Sequence, residues 1–329
     1  MEVSFISVLI TVFTLVVVAV PGFILGKMKM FNDGAKKTLS TFLLFICQPF
    51  LTFMSFQKAG YSSDIGINML IVAGTTALAH IILIAIIEIS CRKKATDQKI
   101  RVLRYASIFG NCGFMGIPFL QTLFGSSGEI LIYGAVVIAI FNLFAWTIGI
   151  YQITGDKKFI SLKKAIFNPA TSALIIGLIV FFSLKVPIKD IAIEGSTLDN
   201  FLEKMVISGN LLADMVTPLG MAILGLNLAD MRFKEIFLNP RAYLGAFVKL
   251  VFMPFVVILI FLVFKEVDVL VKYTVFFTLS MPAATNTIMF AEQYGGDGRE
   301  ASSSVLLSTL LSVLTISLMF LVFKAMLGI

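Results

Sequence analysis

Apolar runs of about 20 residues recur along the whole 329-residue chain, with little sequence between them. The hydrocarbon layer of a bilayer is about 30 Å thick, and an α-helix crosses it with about 20 residues. Hydrophobic residues make up 58% of the chain and charged residues 14%, more apolar side chain than a soluble domain can bury. The sequence therefore predicts an all-α polytopic membrane protein. Its ten transmembrane helices are expected at residues 5–26, 38–56, 65–90, 101–123, 128–151, 166–184, 205–228, 241–264, 271–293 and 301–325.

The formal charge of +7 predicts the orientation of these segments rather than a nucleic-acid partner. Most of the 26 Lys and Arg residues lie in or beside the loops that follow the odd-numbered segments. Positively charged loops stay on the cytoplasmic side of a membrane. We therefore expect an integral protein of the plasma (inner) membrane, with both termini on the non-cytoplasmic side. Only Glu2 is charged ahead of the first apolar run, so this run is expected to be an uncleaved helix rather than a signal peptide.

The ten segments divide into two groups of five that share a local sequence pattern. "FGSSGE" after the fourth segment aligns with "YGGDGRE" after the ninth. An odd number of helices in each half places the halves in opposite orientations. The sequence therefore predicts one membrane domain built from two inverted repeats, residues 1–155 and 156–329.

Glycine, proline and asparagine interrupt the fourth and ninth apolar segments at matching positions. Proline removes a backbone hydrogen bond of a helix, and glycine lowers helix stability by about 1 kcal/mol relative to alanine. Broken backbone at membrane depth must be buried in protein or line a cavity. Paired interruptions in two inverted halves indicate the substrate site of a transporter. The predicted substrate-binding residues are Asn111, Gly113, Gly116, Pro118, Pro282, Thr285, Asn286 and Thr287.

These windows resemble those of the auxin efflux carrier family, the PIN-like permeases. The resemblance rests on "GNCGFMGIP" and "MPAATNTIMFAEQYGGD", with "CQPFLTF" and "MVTPLGMAILGLNL" in the second and seventh segments. Only about a dozen residues separate the two halves, as in the compact prokaryotic members, some of which are associated with malate or malonate. Export of auxin itself does not follow from the resemblance.

The resemblance implies an elevator-type carrier. Helices 4 and 9 would cross near the membrane midplane, and the crossover asparagines would be Asn111 and Asn286. Helices 1, 2, 6 and 7 would form a scaffold, and helices 3–5 and 8–10 a moving transport domain. Elevator carriers often dimerise through their scaffolds, so a homodimer is an open possibility.

A carboxylate fits the predicted crossing. The side chains of Asn111 and Asn286 each offer two donors and an acceptor. Helix N-termini that point at the crossing carry partial positive charge, which favours an anion. We therefore expect a secondary transporter of a small organic anion, such as a dicarboxylate or an auxin-like acid. The alternative role of the two asparagines is a hydrogen bond between helices, worth about 0.6 kcal/mol.

Four residues inside predicted segments are candidates for ion or proton coupling. Asp214 shares a helix face with Asn210 and Thr217, although a later start of the seventh helix would bring Asp214 near a membrane surface. Lys249 is expected to extend toward the cytoplasmic surface, and it could instead neutralise Asp214 or attract an anion. His80 is a possible proton carrier or a packing residue.

Other function classes fit the sequence less well. A sodium-coupled symporter like the bile acid sodium symporters would need more acidic groups inside the spans than Glu292, helped by Gln293, provides. Proton coupling or the membrane potential is the preferred driving force. His80 is the only histidine and the three cysteines are scattered, so we expect no catalysis, metal site, cofactor or disulfide. A channel or receptor would not concentrate polar residues on two helices of one chain.

Overall fold

The computed structural model describes residues 3–31, 33–94, 96–125, 127–229 and 238–329. Its named elements within these ranges are all helical. We number the twelve helices used below in chain order. They are α1 (Phe5–Lys27), α2 (Gly34–Lys58), α3 (Ser63–Cys91), α4 (Gln98–Ile108), α5 (Cys112–Phe124), α6 (Gly128–Thr154), α7 (Pro169–Leu184), α8 (Thr197–Ala229), α9 (Pro240–Val263), α10 (Val269–Leu279), α11 (Asn286–Gln293) and α12 (Gly298–Leu327).

Eight helices in the described part of the chain are long and apolar enough to cross a membrane. Their outward-facing side chains are hydrophobic: Leu70 of α3 is 75% exposed and Leu211 of α8 is 67% exposed. Exposed apolar surface on this scale suits contact with lipid. The fold is therefore that of an all-helical membrane protein. The fourth and ninth predicted segments are not continuous, because each forms two short helices, α4 with α5 and α10 with α11.

Three prolines inside the spans are accommodated by local widening of the helix. Turns of π-helix at Leu43–Cys47, Cys112–Gly116 and Val248–Phe252 each end two residues before a proline. A proline ring clashes with the carbonyl group four residues earlier, and the wider π turn relieves that clash. Pro118 therefore lies inside a continuous helix rather than at the break that the sequence predicted.

Glycines bring α1 and α8 into backbone contact. A Cβ atom on Gly22 would meet the carbonyl group of Ala222, and one on Gly225 would meet the carbonyl group of Ala19. Small residues that allow close backbone approach are the common means of helix association in membranes. Gly22 and Gly225 therefore fix α1 against the second half of α8, which bends at Met215.

Candidate functional site

The two interruptions of the fourth and ninth segments pair with each other. We call residues 109–111 and 280–285 together the crossing. The backbone N–H of Asn111 donates to the carbonyl oxygen of Pro282 at 2.7 Å, and that of Ala284 donates to the carbonyl oxygen of Phe109 at 2.9 Å. These bonds flank a short antiparallel bridge between Gly110 and Ala283. The broken backbone thus satisfies its hydrogen bonds inside the protein, as the membrane environment requires.

Neighbouring helices hold the crossing in place. The hydroxyl oxygen of Ser308, on α12, accepts a 3.0 Å bond from the backbone N–H of Ala283. The thiol of Cys112 donates to the carbonyl oxygen of Thr278, across 3.3 Å. The first bond ties the crossing to α12, and the second ties the start of α5 to the last turn of α10.

Lys249 of α9 is buried at the crossing with no exposed surface. Its Nζ atom donates to the carbonyl oxygen of Leu279 at 2.9 Å and to that of Ile108 at 3.3 Å. These are the last residues of α10 and α4. The ammonium group therefore caps two helix C-termini at once. The prediction that the Lys249 side chain extends toward the cytoplasmic surface is wrong, because these carbonyl oxygens accept hydrogen bonds from its ammonium group inside the protein.

A cavity of about 180 Å³ lies against the crossing, and Lys249 does not line it. Its lining in the described part of the chain includes no acidic or basic side chain. The wall combines crossing residues with aromatic and aliphatic side chains and several carboxamides. The lining residues are Leu44, Phe45, Gln48, Gly110, Asn111, Cys112, Gly113, Phe114, Ile138, Phe141, Asn142, Trp146, Asn168, Pro169, Ala170, Ala284, Asn286 and Met289.

Two of the carboxamides carry buried donors without a partner. Nδ2 of Asn111 and Nε2 of Gln48 have no hydrogen-bond partner among the described residues. Asn111 is 3% exposed and Gln48 is 4% exposed. The Gln48 amide lies against the first turn of α5, since a Cβ atom on Gly113 would lie 3.3 Å from its Nε2 atom. A buried unpaired donor is costly, so both groups favour a ligand with acceptor oxygens.

The helix ends give the crossing opposite electrostatic sides. α5 begins at Cys112 and α11 at Asn286, and both residues line the cavity. Helix N-termini carry partial positive charge and free N–H groups, whereas C-termini carry partial negative charge. The helix N-termini therefore favour negative charge in the cavity, and the ammonium group of Lys249 serves the helix C-termini.

The structure brings three of the predicted substrate-binding residues to the cavity: Asn111, Gly113 and Asn286. The other five do not line it. Gly116 faces α10, where an added Cβ atom would lie 3.6 Å from the Thr278 side chain. Pro282 contributes its carbonyl oxygen to the crossing, as the acceptor for the backbone N–H of Asn111. The remaining predicted residues, none of them in the cavity lining, are Pro118, Thr285 and Thr287.

The candidate coupling residues on α8 lie away from the crossing cavity. The side chain of Asp214 is exposed at the bend of α8. Oδ1 of Asn210 is buried without a partner among the described residues. Thr217 donates to Oε1 of Gln121, on α5, at 2.6 Å. The cavity lining contains none of these residues, Asn210, Asp214, Thr217 or Gln121.

His80 is buried in the packing of α3. Its Nδ1 atom lies 2.8 Å from the carbonyl oxygen of Thr76, which places the ring proton on Nδ1. The ring stacks on Phe144 with centroids 5.4 Å apart. Nε2 has no partner among the described residues, and His80 does not line the cavity. These contacts match the packing role that the sequence left open.

Sequence reasoning missed three carboxamides of the cavity wall, Gln48, Asn142 and Asn168. Asn168 caps α7 and accepts a 3.4 Å bond from Asn142. Gln48 stands in the motif "CQPFLTF", directly before Pro49. Its place directly before a proline was the signal that could have identified it, because the π turn that accommodates this proline ends at Cys47, and such turns are frequent at functional sites.

No group of three or more potential metal ligands is present among the described residues. The cysteines Cys47, Cys91 and Cys112 are free thiols. Within the described part of the chain, the crossing therefore offers carbonyl and amide groups rather than a carboxylate cluster.

Comparison with known proteins gives the family. A family described as membrane transport protein matches residues 7–159 and 153–320. The chain belongs to this membrane transport protein family. The match confirms the resemblance inferred from the motifs. An uncharacterized transporter of Methanocaldococcus jannaschii is similar to the chain, with 25% identity over 322 residues that cover 95% of this chain and 96% of the relative.

Proposed function

We propose that this membrane transport protein is a secondary transporter of a small organic anion. The substrate carboxylate would bind in the cavity beside the crossing. The observation that carries the proposal is the convergence of unpaired amide donors from Asn111 and Gln48 on that cavity. Two helix N-termini face the same space and add positive potential. This donor set suits carboxylate oxygens, which accept hydrogen bonds and cannot donate them.

The size and lining of the cavity favour a compact acid with an apolar body. A volume of about 180 Å³ is below the range of roughly 300–1,000 Å³ typical of pockets for drug-sized ligands. Side chains such as Phe45, Phe141 and Trp146 form much of the wall. An aromatic or aliphatic monocarboxylate therefore fits better than a dicarboxylate, which would bring its second charge against apolar groups.

Transport would occur by an elevator-type alternating-access movement of a ten-helix inverted-repeat fold. In this proposal α1, α2, α7 and α8 form the scaffold, while α3–α6 and α9–α12 move together. The cavity supports the division, since it lies between Gln48 of α2 on one side and Asn111 and Asn286 on the other. Lys249 also supports it, because α9 is bonded to α4 and α10 within the proposed moving group.

Proton coupling or the membrane potential would drive the transport. The sodium-coupled alternative receives less support, because Glu292 and Gln293 lie exposed in the last turn of α11 and outside the cavity lining. A channel or an intramembrane enzyme receives less support still. Among the described residues, the cavity wall contains no ring of charged side chains, and its one nucleophilic side chain is the thiol of Cys112, which donates a hydrogen bond to the carbonyl oxygen of Thr278.

The test is thermal stabilisation of the purified protein by matched pairs of carboxylic acids and their amides. A ligand that binds only the folded protein raises its melting temperature with concentration. We expect stabilisation by an acid such as indole-3-acetate or a short aliphatic monocarboxylate, and none by the corresponding amide. Malonate and malate test the dicarboxylate alternative.

Two further results decide the assignment. The stabilising acid should show saturable counterflow in proteoliposomes, which distinguishes a carrier from a channel. Its stabilisation should disappear in the Asn111→Ala/Asn286→Ala double variant. Stabilisation by amides or cations instead of acids would overturn the anion assignment.

A further inference from the structure

Lys249 holds a buried positive charge where two helices end. Its ammonium group bonds to the carbonyl oxygens of Ile108 and Leu279, the last residues of α4 and α10. The final carbonyls of a helix lack partners within the helix and carry partial negative charge. In transporters with broken helices, such C-terminal carbonyls are the groups that coordinate a coupling cation.

No described carboxylate forms an ion pair with this ammonium group. Its polar contacts are the two helix-end carbonyls, and a described carboxylate cluster that could hold a metal is absent. One covalently attached cation, the ammonium group of Lys249, therefore binds both helix ends. A dissociable ion would need the same oxygen atoms and the same space.

The lack of a side chain at Gly110 leaves space for the end of the Lys249 side chain. A Cβ atom on Gly110 would lie 2.8 Å from both Cε and Nζ of Lys249. Gly110 also lines the cavity, which Lys249 does not. The ammonium group of Lys249 thus lies close to one residue of the cavity wall without lining the cavity itself, and the anion and the ammonium group attract each other.

We propose that Lys249 is a tethered cation that occupies the place of a coupling ion at the crossing. The protein then binds its anion without Na⁺, and removal of the ammonium group opens a site for a small primary ammonium ion. The statement about the anion rests on the proposed function. The statement about the cation does not, because the cation site can be measured with no substrate present.

The experiment compares the full-length protein with its Lys249→Ala and Lys249→Met variants. Melting temperatures are measured in equal concentrations of propylammonium, sodium and choline chloride, without any organic anion. Alanine leaves a space that propylammonium can fill, whereas the methionine side chain retains most of the volume and brings no charge. Lys272→Ala is the control, since Lys272 is a second buried lysine whose Nζ donates to one loop carbonyl, that of Lys265.

The wild-type protein should melt at the same temperature in sodium and choline chloride. Lys249→Ala should melt lower than the wild type in choline, and propylammonium should raise its melting temperature saturably, on the order of 2–4 °C. Lys249→Met should be destabilised and should show no such rise. Lys272→Ala should not respond to propylammonium.

Three results would overturn the inference. The first is a saturable stabilisation of the wild-type protein by Na⁺, which can be measured even where a variant fails to fold. The second is a response of Lys272→Ala equal to that of Lys249→Ala. The third is a Lys249→Met variant as stable as the wild type.

Discussion

The backbone N–H of Asn111 donates to the carbonyl oxygen of Pro282 across 2.7 Å, so main-chain atoms join the two interruptions. The Asn111 side chain takes no part in that bond, and its Nδ2 atom has no hydrogen-bond partner in the described part of the chain. Substitutions at Asn111 should therefore separate ligand binding from the integrity of the crossing.

Asn111→Ala should weaken binding of the organic anion about 10- to 100-fold while the protein stays folded. A hydrogen bond to a charged group contributes roughly 1.5–3 kcal/mol, and the alanine variant retains the backbone bond to Pro282. Ligand-dependent melting curves give both the affinity and the stability. Asn68→Ala is the control, because Asn68 donates to Tyr133 away from the cavity. Equal affinity of the wild type and Asn111→Ala would refute the assignment of Asn111 to the site.

Gln48→Glu should abolish anion binding. The substitution replaces an unpaired donor with a carboxylate that repels the substrate in a buried space. Gln57→Glu on the same helix is the matched control, since Gln57 serves as an acceptor for the backbone N–H of Ile188 at 2.8 Å, and a carboxylate can still accept. Binding by Gln48→Glu at the wild-type level would place the substrate elsewhere.

Gly110→Ala should destabilise the protein by about 1–3 kcal/mol, the usual effect of overpacking. The added methyl group would lie 2.8 Å from Nζ of Lys249 and 3.0 Å from the carbonyl oxygen of Met281. Gly74→Ala is the control, because no atom of the described residues lies within 4 Å of the new methyl group there. In a helix that change should stabilise by about 0.5–1 kcal/mol. Opposite shifts in melting temperature are expected, and a neutral effect of Gly110→Ala would contradict the contact.

A disulfide between α5 and α8 should arrest transport if the two helices belong to different moving groups. A Cβ atom on Gly220 would lie 3.9 Å from the Cα atom of Phe114, so the positions are close enough for a disulfide. The Phe114→Cys/Gly220→Cys variant, free of other cysteines, should lose transport on oxidation and regain it on reduction.

The matched control for this disulfide joins two helices of the proposed scaffold. A Cβ atom on Gly26 would lie 3.5 Å from the Cα atom of Leu226. Oxidation of Gly26→Cys/Leu226→Cys should leave transport unchanged. Full transport by the oxidised Phe114–Gly220 pair would argue against relative movement of α5 and α8.

Asp214→Asn should change anion affinity by no more than about twofold and leave its pH dependence in place. The Asp214 side chain is exposed and does not line the cavity, and substitutions at such positions usually change free energies by less than about 0.5 kcal/mol. Titration of binding against pH in both proteins is the measurement. A pH profile that disappears in Asp214→Asn would restore the coupling role considered from the sequence.

The apolar segments could be predicted from the sequence because lipid imposes a length and a composition on every span. Membrane helices near Phe5–Lys27 and Gly298–Leu327 follow directly from that constraint. Asn111 and Asn286 could be placed at the interruptions, where the cavity lies, because unsatisfied backbone at membrane depth requires a special environment. Their role in substrate binding stays a prediction. The ten-helix inverted repeat remains a prediction.

The remaining features depend on tertiary contacts that periodicity does not encode. The prolines alone did not mark where the fourth and ninth segments break, because π turns accommodate Pro49, Pro118 and Pro254 within continuous helices. The direction of the Lys249 side chain depended on two helix ends that lie 30 and 141 residues away along the chain. The role of Gln48 depended on its approach to Gly113, which lies on a different helix.

The covalent attachment of the Lys249 ammonium group has an energetic consequence. A coupling ion that crosses with the substrate and then dissociates adds the free energy of its own gradient to transport. A tethered cation returns with the protein in every cycle and adds none. If no other ion crosses, a univalent anion would respond only to its own gradient and the membrane potential. A potential of 100 mV is equivalent to about 2.3 kcal/mol per elementary charge, or a concentration ratio of about 50 at equilibrium. With the cell interior negative, that ratio favours the outside, and the carrier would work as an exporter.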